Sequence, residues 1–411
     1  MKKILFLSYN YPYGLFGPST LCTSRIMEAL CQNDMFEVHN ISFPQNGNPA
    51  YRVLDKVQLH YLKSSPKVRY HPKFVTQMQK IWQHLTYPHG AKAKGNAYYQ
   101  ECLHLIGDQH FDIVVAQCYP EKCVWAGALL KENGYVSNLM VIFWDNIYGK
   151  LPRRIIPAQY AIKRQRKAEG YIAQQADCLV SLYPIKSFYE QYGDLSEAEG
   201  KRTFLGIPSI LKPRDLPVSP YQNVVKFDKI NLLYSGTIFR LDYVKYLIDL
   251  LNMSAKAEKY NLIFFARGIS NEDFAKLKDH FKGNIEYHDW IPLDDLLALY
   301  PKVNFFVSFP GYPASIRSKV YEYMSYGKPI LLLYDDDRDV NVSTFSKYPA
   351  FMALDKRVCV ENNIEAMDSF IAENRGKDIP FETTESLFPN DTAKAYVNLI
   401  TDVIGPVLEN K

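Results

Sequence analysis

The chain has no run approaching the roughly 20 apolar residues a membrane-spanning helix needs, so no segment of it reads as a transmembrane anchor. It also lacks a cysteine framework. Its seven cysteines (Cys22, Cys31, Cys102, Cys118, Cys123, Cys178 and Cys359) are scattered and odd in number, which argues against a disulfide-stapled secreted scaffold and fits a reducing, cytoplasmic setting. Cys118 and Cys123 stand as a lone pair, with no second pair to complete a zinc site. Excess charge is missing too. Lys and Arg number 48 against 44 Asp and Glu, a net of +4, too little for a general nucleic-acid binder. Gly-x-Ser-x-Gly, His-Glu-x-x-His and Gly-x-x-x-x-Gly-Lys-Ser/Thr are all absent, which removes the hydrolase elbow, the helical zinc protease and the P-loop. There is no short internal repeat or low-complexity tract. The apolar stretch at residues 1–8 is too short for a secretory core, has no small-residue cleavage site and runs into Tyr9-Asn10-Tyr11-Pro12. It reads as a first buried strand.

What is present is an ordinary globular balance: 411 residues, 47% hydrophobic and 22% charged, enough for two or three domains. Strand-like apolar runs at 4–8, 36–41, 113–116, 140–143 and 178–182 alternate with helical patterns at 19–31, 121–131 and 159–175. That alternation implies a parallel sheet covered on both faces. The pattern restarts in the second half, with strands at 230–234, 262–265, 285–288, 305–309 and 330–333. Four prolines within residues 205–220 mark an extended connection. The expected organisation is an N-terminal Rossmann-like domain at 1–210, a linker at 211–228, a second such domain at 229–388, and a final helix within 389–411 that packs back on the first. Two doubly wound α/β domains facing a central cleft bind ligands at the carboxyl ends of their strands.

The most informative segment is Ser-Ile-Arg-Ser-Lys-Val-Tyr-Glu-Tyr-Met-Ser-Tyr-Gly-Lys-Pro-Ile at 315–330. Ser318 suits the cap of a helix beginning at Lys319, Gly327 ends it, and Pro329 prevents its continuation. A helix start carrying a cation and aimed at the sheet's carboxyl edge favours a phosphate. Glu322 lies one turn in, on the face of Lys319. It is either an acceptor for sugar hydroxyls or half of a solvated Glu–Lys pair.

This segment resembles the donor-site signature of GT-B glycosyltransferases, in particular the family 4 group and its polysaccharide-assembly relatives. The resemblance implies that Glu322 holds the nucleotide ribose, and that Ser315, Ser318 and Lys319 face the diphosphate. Asn-Leu-Leu-Tyr-Ser-Gly-Thr at 231–237 is similar to the strand and glycine turn opening the family's C-terminal domain, which brings in Gly236 and Thr237. His-Asp-Trp-Ile-Pro at 288–292 is similar to its base-binding turn, with the backbone near Ile291 meeting the base. Residues 3–12, followed by Gly14 and Gly17, resemble its opening strand and glycine loop.

The departures are specific. A first Glu common in the family is replaced by Ala314. The family's Gly-Arg, with a Lys five residues after the Arg, is matched by spacing at Arg240 and Lys245, but by glycine alignment at Thr237 and Asp242. A leaving diphosphate needs cations, so Arg240 and Lys245 are preferred as catalytic groups beside Lys319. The family's N-domain histidine position falls at Trp144 or Asp145 on the acceptor side. Asp335-Asp336-Asp337 tempts a metal reading, but the run reads as a solvated loop and no metal is expected. His71, His84 and His89 form no constellation, and His288 reads as packing.

The resemblance thus implies a cytoplasmic glycosyltransferase, retaining and metal-independent. It would move a sugar from a nucleotide-diphosphate-sugar to a glycan or glycolipid acceptor in surface polysaccharide or glycolipid assembly, with no cofactor beyond the donor. A nucleotide-sugar 2-epimerase and a non-catalytic sugar- or partner-binding module are the rivals. A dinucleotide oxidoreductase is disfavoured, because Gly14-Leu-Phe-Gly17 is not Gly-x-Gly-x-x-Gly. Residues 150–167 carry seven positive charges and no acid, and residues 67–94 are basic with Phe74, Met78, Ile81, Trp82 and Leu85 at helical spacing. That combination suits peripheral contact with an anionic membrane face, or else a solvated basic face and a packed amphipathic helix.

Overall fold

The near-continuous apolar runs of the sequence become the strands of two separate parallel sheets in a computed structural model. The structure describes residues 1–9, 18–44, 56–63, 85–118, 120–144, 157–183, 200–311 and 316–405, together with 74, 75, 78, 82 and 186. Two units result. One comprises Met1–Pro208 with Ala393–Lys411, the other Ser209–Thr392.

In chain order the first unit contains β1 (Lys2–Tyr9), α1 (Pro18–Cys31), β2 (Phe36–Ser42), β3 (Val57–Tyr61), α2 (His89–Ile106), β4 (Phe111–Cys118), α3 (Glu121–Glu132), β5 (Val136–Phe143), α4 (Ala158–Gln175), β6 (Cys178–Leu182) and β7 (Arg202–Leu205). The second contains β8 (Ile230–Thr237), α5 (Leu241–Met253), β9 (Tyr260–Arg267), α6 (Asn271–His280), β10 (Asn284–His288), α7 (Leu293–Leu297), β11 (Phe305–Ser308), α8 (Ser318–Ser325), β12 (Ile330–Tyr334), α9 (Val340–Phe345), β13 (Phe351–Asp355), α10 (Val360–Asn374) and α11 (Phe381–Leu387). The last helix, α12 (Ala393–Ile404), belongs to the first unit.

The first sheet has the order β3-β2-β1-β4-β5-β6-β7 and the second β10-β9-β8-β11-β12-β13. Every paired neighbour runs parallel. Such strands are buried on both faces, which explains Ile4–Leu7 and Ile330–Leu333, all fully buried. In the first unit one face packs Leu5, Leu7, Val114 and Val141 against α3, and the other packs Ile4, Phe6, Val115 and Ile142 against α1 and α12. In the second unit α5 lays Tyr243, Val244, Leu247 and Leu251 on one face, and α8 lays Val320, Tyr323 and Met324 on the other.

Four edge or near-edge features depart from the sequence expectation. β3, β7 and β13 are edge strands with mostly half-buried residues, which do not stand out as apolar runs. The linker expected at 211–228 lies inside the second unit: Val224 and Val225 are buried on its sheet. The change of unit comes at 208–209 because Ser209 and Ile210 donate their amides to the Asp391 carbonyl, both at 3.0 Å, where the chain returns. From there α12 sets the Tyr396 ring 5.7 Å from Trp144 and donates its hydroxyl to the Gly206 carbonyl at 2.8 Å.

On the first sheet, His39 is buried and joins two neighbours. Its Nδ1 lies 2.9 Å from His60 Nε2 and its Nε2 2.9 Å from Glu37 Oε1. Burial lowers the pKa of both imidazoles below the ordinary value.

Candidate functional site

Open parallel sheets expose their binding edge where strand order reverses. In the second unit that point lies between β8 and β11. β8 delivers Ser235, Gly236 and Thr237 there, and α8 begins ten residues after β11 ends. The intervening residues 312–315 lie outside the described ones, so Ser315 and Ala314 are not placed.

The start of α8 corrects the expected cap by one residue. Ser318 is the first helical residue and Arg317 takes the cap position, with no side-chain cap bond. The reason is a tie to another element: the Arg317 amide donates to Asn341 Oδ1 at 2.8 Å, and Asp339, which caps α9 through the Asn341 amide, pairs with the Arg317 guanidinium. The helix ends at a left-handed Gly327 (φ 72°), where a Cβ would stand 2.3 Å from the Ile379 carbonyl oxygen. A similar close approach fixes Gly268 (φ 106°) after β9, against the Ile238 carbonyl in the loop that follows β8.

Glu322 is only 6% exposed, so it is not half of a solvated pair. A carboxylate this deep must be held by donors. Lys319 Nζ donates to its Oε1 at 2.7 Å and the Tyr300 hydroxyl at 3.0 Å. Tyr300 lies 2.9 Å from Ser235 Oγ, and the Ser235 amide donates to the Tyr323 hydroxyl at 2.9 Å. A buried chain of polar groups thus links α8 to the end of β8. Burial, reinforced by the Glu322 charge, pushes the Tyr300 phenol well above its ordinary value. Burial raises Tyr323 as well, so both remain neutral donors at physiological pH.

Arg317 is the residue that sequence reasoning missed. Its side chain is 10% exposed and pairs with Asp339, itself 3% exposed. Its Nε and Nη1 are buried without a hydrogen-bond partner, although a guanidinium offers five donors. Burial pulls its pKa below the ordinary arginine value, opposed by the Asp339 carboxylate. Its charge acts on the phenol of Tyr234, whose hydroxyl donates to the Thr237 carbonyl at 2.8 Å. The one available signal was a cation directly before a helix start at a sheet's carboxyl edge.

The other expected cations are placed differently. Arg240, at the cap position of α5 and 48% exposed, is held by Asp242 and Asp335, each at 2.8 Å. It lies 4.5 Å over the Tyr243 ring, with Lys356 at 4.7 Å from the same ring. The hydrogen bonds it donates to Asp242 and then to Asp335 raise the Arg240 pKa. Burial pushes Asp242 up, but bonds from Arg240 and Lys356 prevail and bring it down to about 2. Lys245 is exposed on α5 and has no ion-pair partner among the described residues. Lys319 is therefore the expected cation that is bonded to Glu322.

The acidic run is committed to arginines: Asp335 to Arg240, Asp336 to Arg338 and Asp337 to Arg357. Among the described residues no three His, Cys, Asp or Glu side chains converge as metal ligands. At the end of β10, Arg267 bonds Asp289 at 3.0 Å and stacks 4.1 Å from the Trp290 ring. Ile291 is half-buried against the cluster that contains Tyr300 and Leu296. His288 stacks on Phe265 at 5.2 Å, a packing position.

In the first unit the strand order reverses between β1 and β4. Gly14, Gly17 and Asp145 lie outside the described residues. Trp144 is 7% exposed and donates its indole N–H to Gln117 Oε1 at 2.8 Å, which also accepts from Thr23 at 2.5 Å. Ser8 Oγ donates to Asn40 Oδ1 at 2.6 Å. Asn40 Nδ2 and Ser42 Oγ are buried without a partner.

No protein-family model matches the chain, and no curated protein matches it. Solved structures do match, over nearly its whole length. A trehalose-6-phosphate structure from E. coli bound with UDP-2-fluoro glucose aligns with a TM-score of 0.60 at 10% identity, covering 99% of this chain and 100% of its own. A UDP-N-acetylglucosamine 2-epimerase aligns with a TM-score of 0.59 at 12% identity, covering 98% and 95%. Anabaena HepE in complex with UDP and glucose aligns with a TM-score of 0.54 at 13% identity, covering 98% and 99%. At such identities the likeness is one of fold. The chain has the GT-B fold, with two Rossmann-like parallel-sheet units.

Proposed function

We propose that the chain is a glycosyltransferase that takes a sugar from a nucleotide-diphosphate-sugar and places it on an acceptor hydroxyl of a glycan or glycolipid, the donor lying at the β8/β11 edge of the second unit. The observation that carries this reading is the buried Glu322, held by Lys319 and Tyr300 one turn inside a helix whose cap residue, Arg317, is a buried guanidinium with unused donors. An acid so fixed suits a pair of ribose hydroxyls. Nearby cations suit a diphosphate. That UDP or a UDP-sugar is bound in solved structures of the same fold also supports it.

In the proposed reaction the bond from the anomeric carbon to the donor's phosphate oxygen breaks, and a bond to the acceptor oxygen forms as the acceptor's proton passes to the leaving phosphate oxygen. Negative charge collects on the leaving diphosphate. Arg317 and Lys319 are the groups assigned to meet it, with Arg240 contributing if it leaves its two carboxylates. One preorganised contact of this kind is worth about 3 kcal/mol. No group beyond the donor is invoked, and retention of configuration is the stereochemical expectation.

A thermal-shift screen of UDP-, GDP- and dTDP-sugars tests the donor site. A ligand at about a hundred times its dissociation constant should stabilise the fold by about 2.7 kcal/mol. No shift with any of them would remove the reading. A second reading, nucleotide-sugar 2-epimerisation, is favoured by the epimerase among the matching structures. Incubating the bound donor without acceptor separates the two: a transferase leaves the sugar's C2 configuration intact, whereas an epimerase inverts it.

A further inference from the structure

In the first unit, an apolar surface is uncovered. Phe74, Met78, Trp82 and Leu85 are helical and are 71%, 51%, 68% and 48% exposed. Their sequence spacing, of four, four and three residues, is the one that recurs on a single face of a helix. Val75 borders this stripe and is exposed as well. A single exposed apolar residue means little, but four large ones in register form a surface suited to contact.

The stripe adjoins a basic face. Arg164 of α4 donates to the carbonyls of Leu85 and, at 2.9 Å, Tyr87. Lys92 of α2 sits 5.1 Å over the Tyr171 ring of α4. These contacts bring the end of the stripe against the basic first half of α4. Lys92, Lys94, Lys163 and Lys167 are exposed there, whereas the acid of α4, Glu169, is fully buried and paired with Arg202. The sequence repeats this separation on a larger scale. Residues 56–100 and 146–168 together hold fifteen Lys and Arg and no Asp or Glu, in a chain of net charge +4, so the remainder is net −11.

We propose that this face of the first unit docks on an anionic lipid surface, with Phe74, Met78 and Trp82 at the headgroup–acyl boundary and the lysines of α2 and α4 against the lipid phosphates. The pairing of features selects this occupant. A nucleic acid would match the charge but leave the apolar side chains in water. A second copy of the chain would bring two basic faces together. A bilayer with anionic headgroups satisfies both halves at once. The proposal is independent of the donor site and stands or falls separately from it.

The test is co-sedimentation of the full chain with phosphatidylcholine vesicles, alone or with about a quarter phosphatidylglycerol, at low salt and at about 500 mM salt, where screening is strong. The protein should pellet with the anionic vesicles at low salt, remain in the supernatant with neutral ones, and be largely released by salt. Phe74→Ser with Met78→Ser and Trp82→Ser should lower partitioning at least tenfold. Lys163→Ala and Lys167→Ala should each lower it about fivefold. Circular dichroism should match the parent in every variant. Should the triple variant fail to fold, brominated lipid should quench wild-type fluorescence by an amount that is lost in Trp82→Phe. Wild-type protein left in the supernatant with anionic vesicles at low salt overturns the proposal. So does a triple variant that binds like the parent, or a dimer abolished by the triple variant when vesicles are ignored.

Discussion

The two sheets share a plan and differ in what they carry at the edge where strand order reverses. Among the described residues, the hydrogen bonds at the carboxyl ends of β1 and β4 join neutral groups, Ser8 to Asn40 and Gln117 to Thr23 and Trp144, while that unit's buried ions, Arg25 on α1 and Glu169 paired with Arg202, lie on the flanking elements. At β8/β11 and its neighbours ion pairs gather: Arg317 with Asp339 is buried, Glu322 is buried beneath Lys319, and Arg240 with Asp242 and Asp335 is part-exposed. The same topology therefore carries amide and hydroxyl pairs at one strand-order reversal and ion pairs at the other. Fold alone does not say which edge would meet a diphosphate; the proposed function rests on where the charged residues fall.

The sharpest way to break this comparison is Arg317→Met. It leaves the Asp339 carboxylate buried and unpaired, and should destabilise the second unit by about 3–5 kcal/mol. Hydrogen exchange should show faster opening of β8 and β11 with β1 and β4 unaffected. Next in size, Glu322→Ala should weaken nucleotide-sugar binding by about 1.5–3 kcal/mol by calorimetry, with the circular dichroism spectrum retained. Unchanged affinity would sink the ribose assignment. The neutral counterpart is Gln117→Ala. It strands the Trp144 indole N–H and leaves the Thr23 hydroxyl only the Ser19 carbonyl, and should cost about 1–3 kcal/mol of first-unit stability with no change in nucleotide affinity. Arg240→Met, at a half-exposed pair, should change stability by less than about 1 kcal/mol and affinity by less than Glu322→Ala does.

Acid should separate the units as well. His39 and His60 have lowered pKa values, so unfolding takes up protons there. First-unit stability is full above pH 6.5, the ordinary imidazole value, and falls as pH drops below it. In the second unit Asp242 has a depressed pKa. Its contribution is present above 3.8 and is lost as pH falls towards 2. Mild acidification to about pH 5 should therefore loosen β2 and β3 before β8, which hydrogen exchange would detect.

Much of the frame is visible in the chain itself, because doubly buried strands must be apolar along their length and because Gly327 and Pro329 punctuate a helix. The edge strands β3, β7 and β13 escape such reading, being half-buried and half-polar, as in Arg202-Thr-Phe-Leu205. Within the site, local spacing reveals that Lys319 and Glu322 share a face. It does not reveal that Glu322 is buried, since this depends on Tyr300, which arrives 22 positions earlier on another element. Nor can it show that Arg240 is engaged, since Asp335 reaches it from β12, two strands away across the sheet. Arg317 reads as a loop residue until Asp339 and Asn341 are seen to enclose it.

The first unit is interrupted in sequence: 184 residues of the second unit separate Pro208 from Ala393. During vectorial synthesis the second unit can therefore emerge and fold whole, while its predecessor waits. The face formed by Ile4, Phe6, Val115 and Ile142 lacks Tyr396 and Ile400 until the last stretch leaves the ribosome. The part made first is completed last, and its unfinished apolar face is where a nascent chain needs shielding.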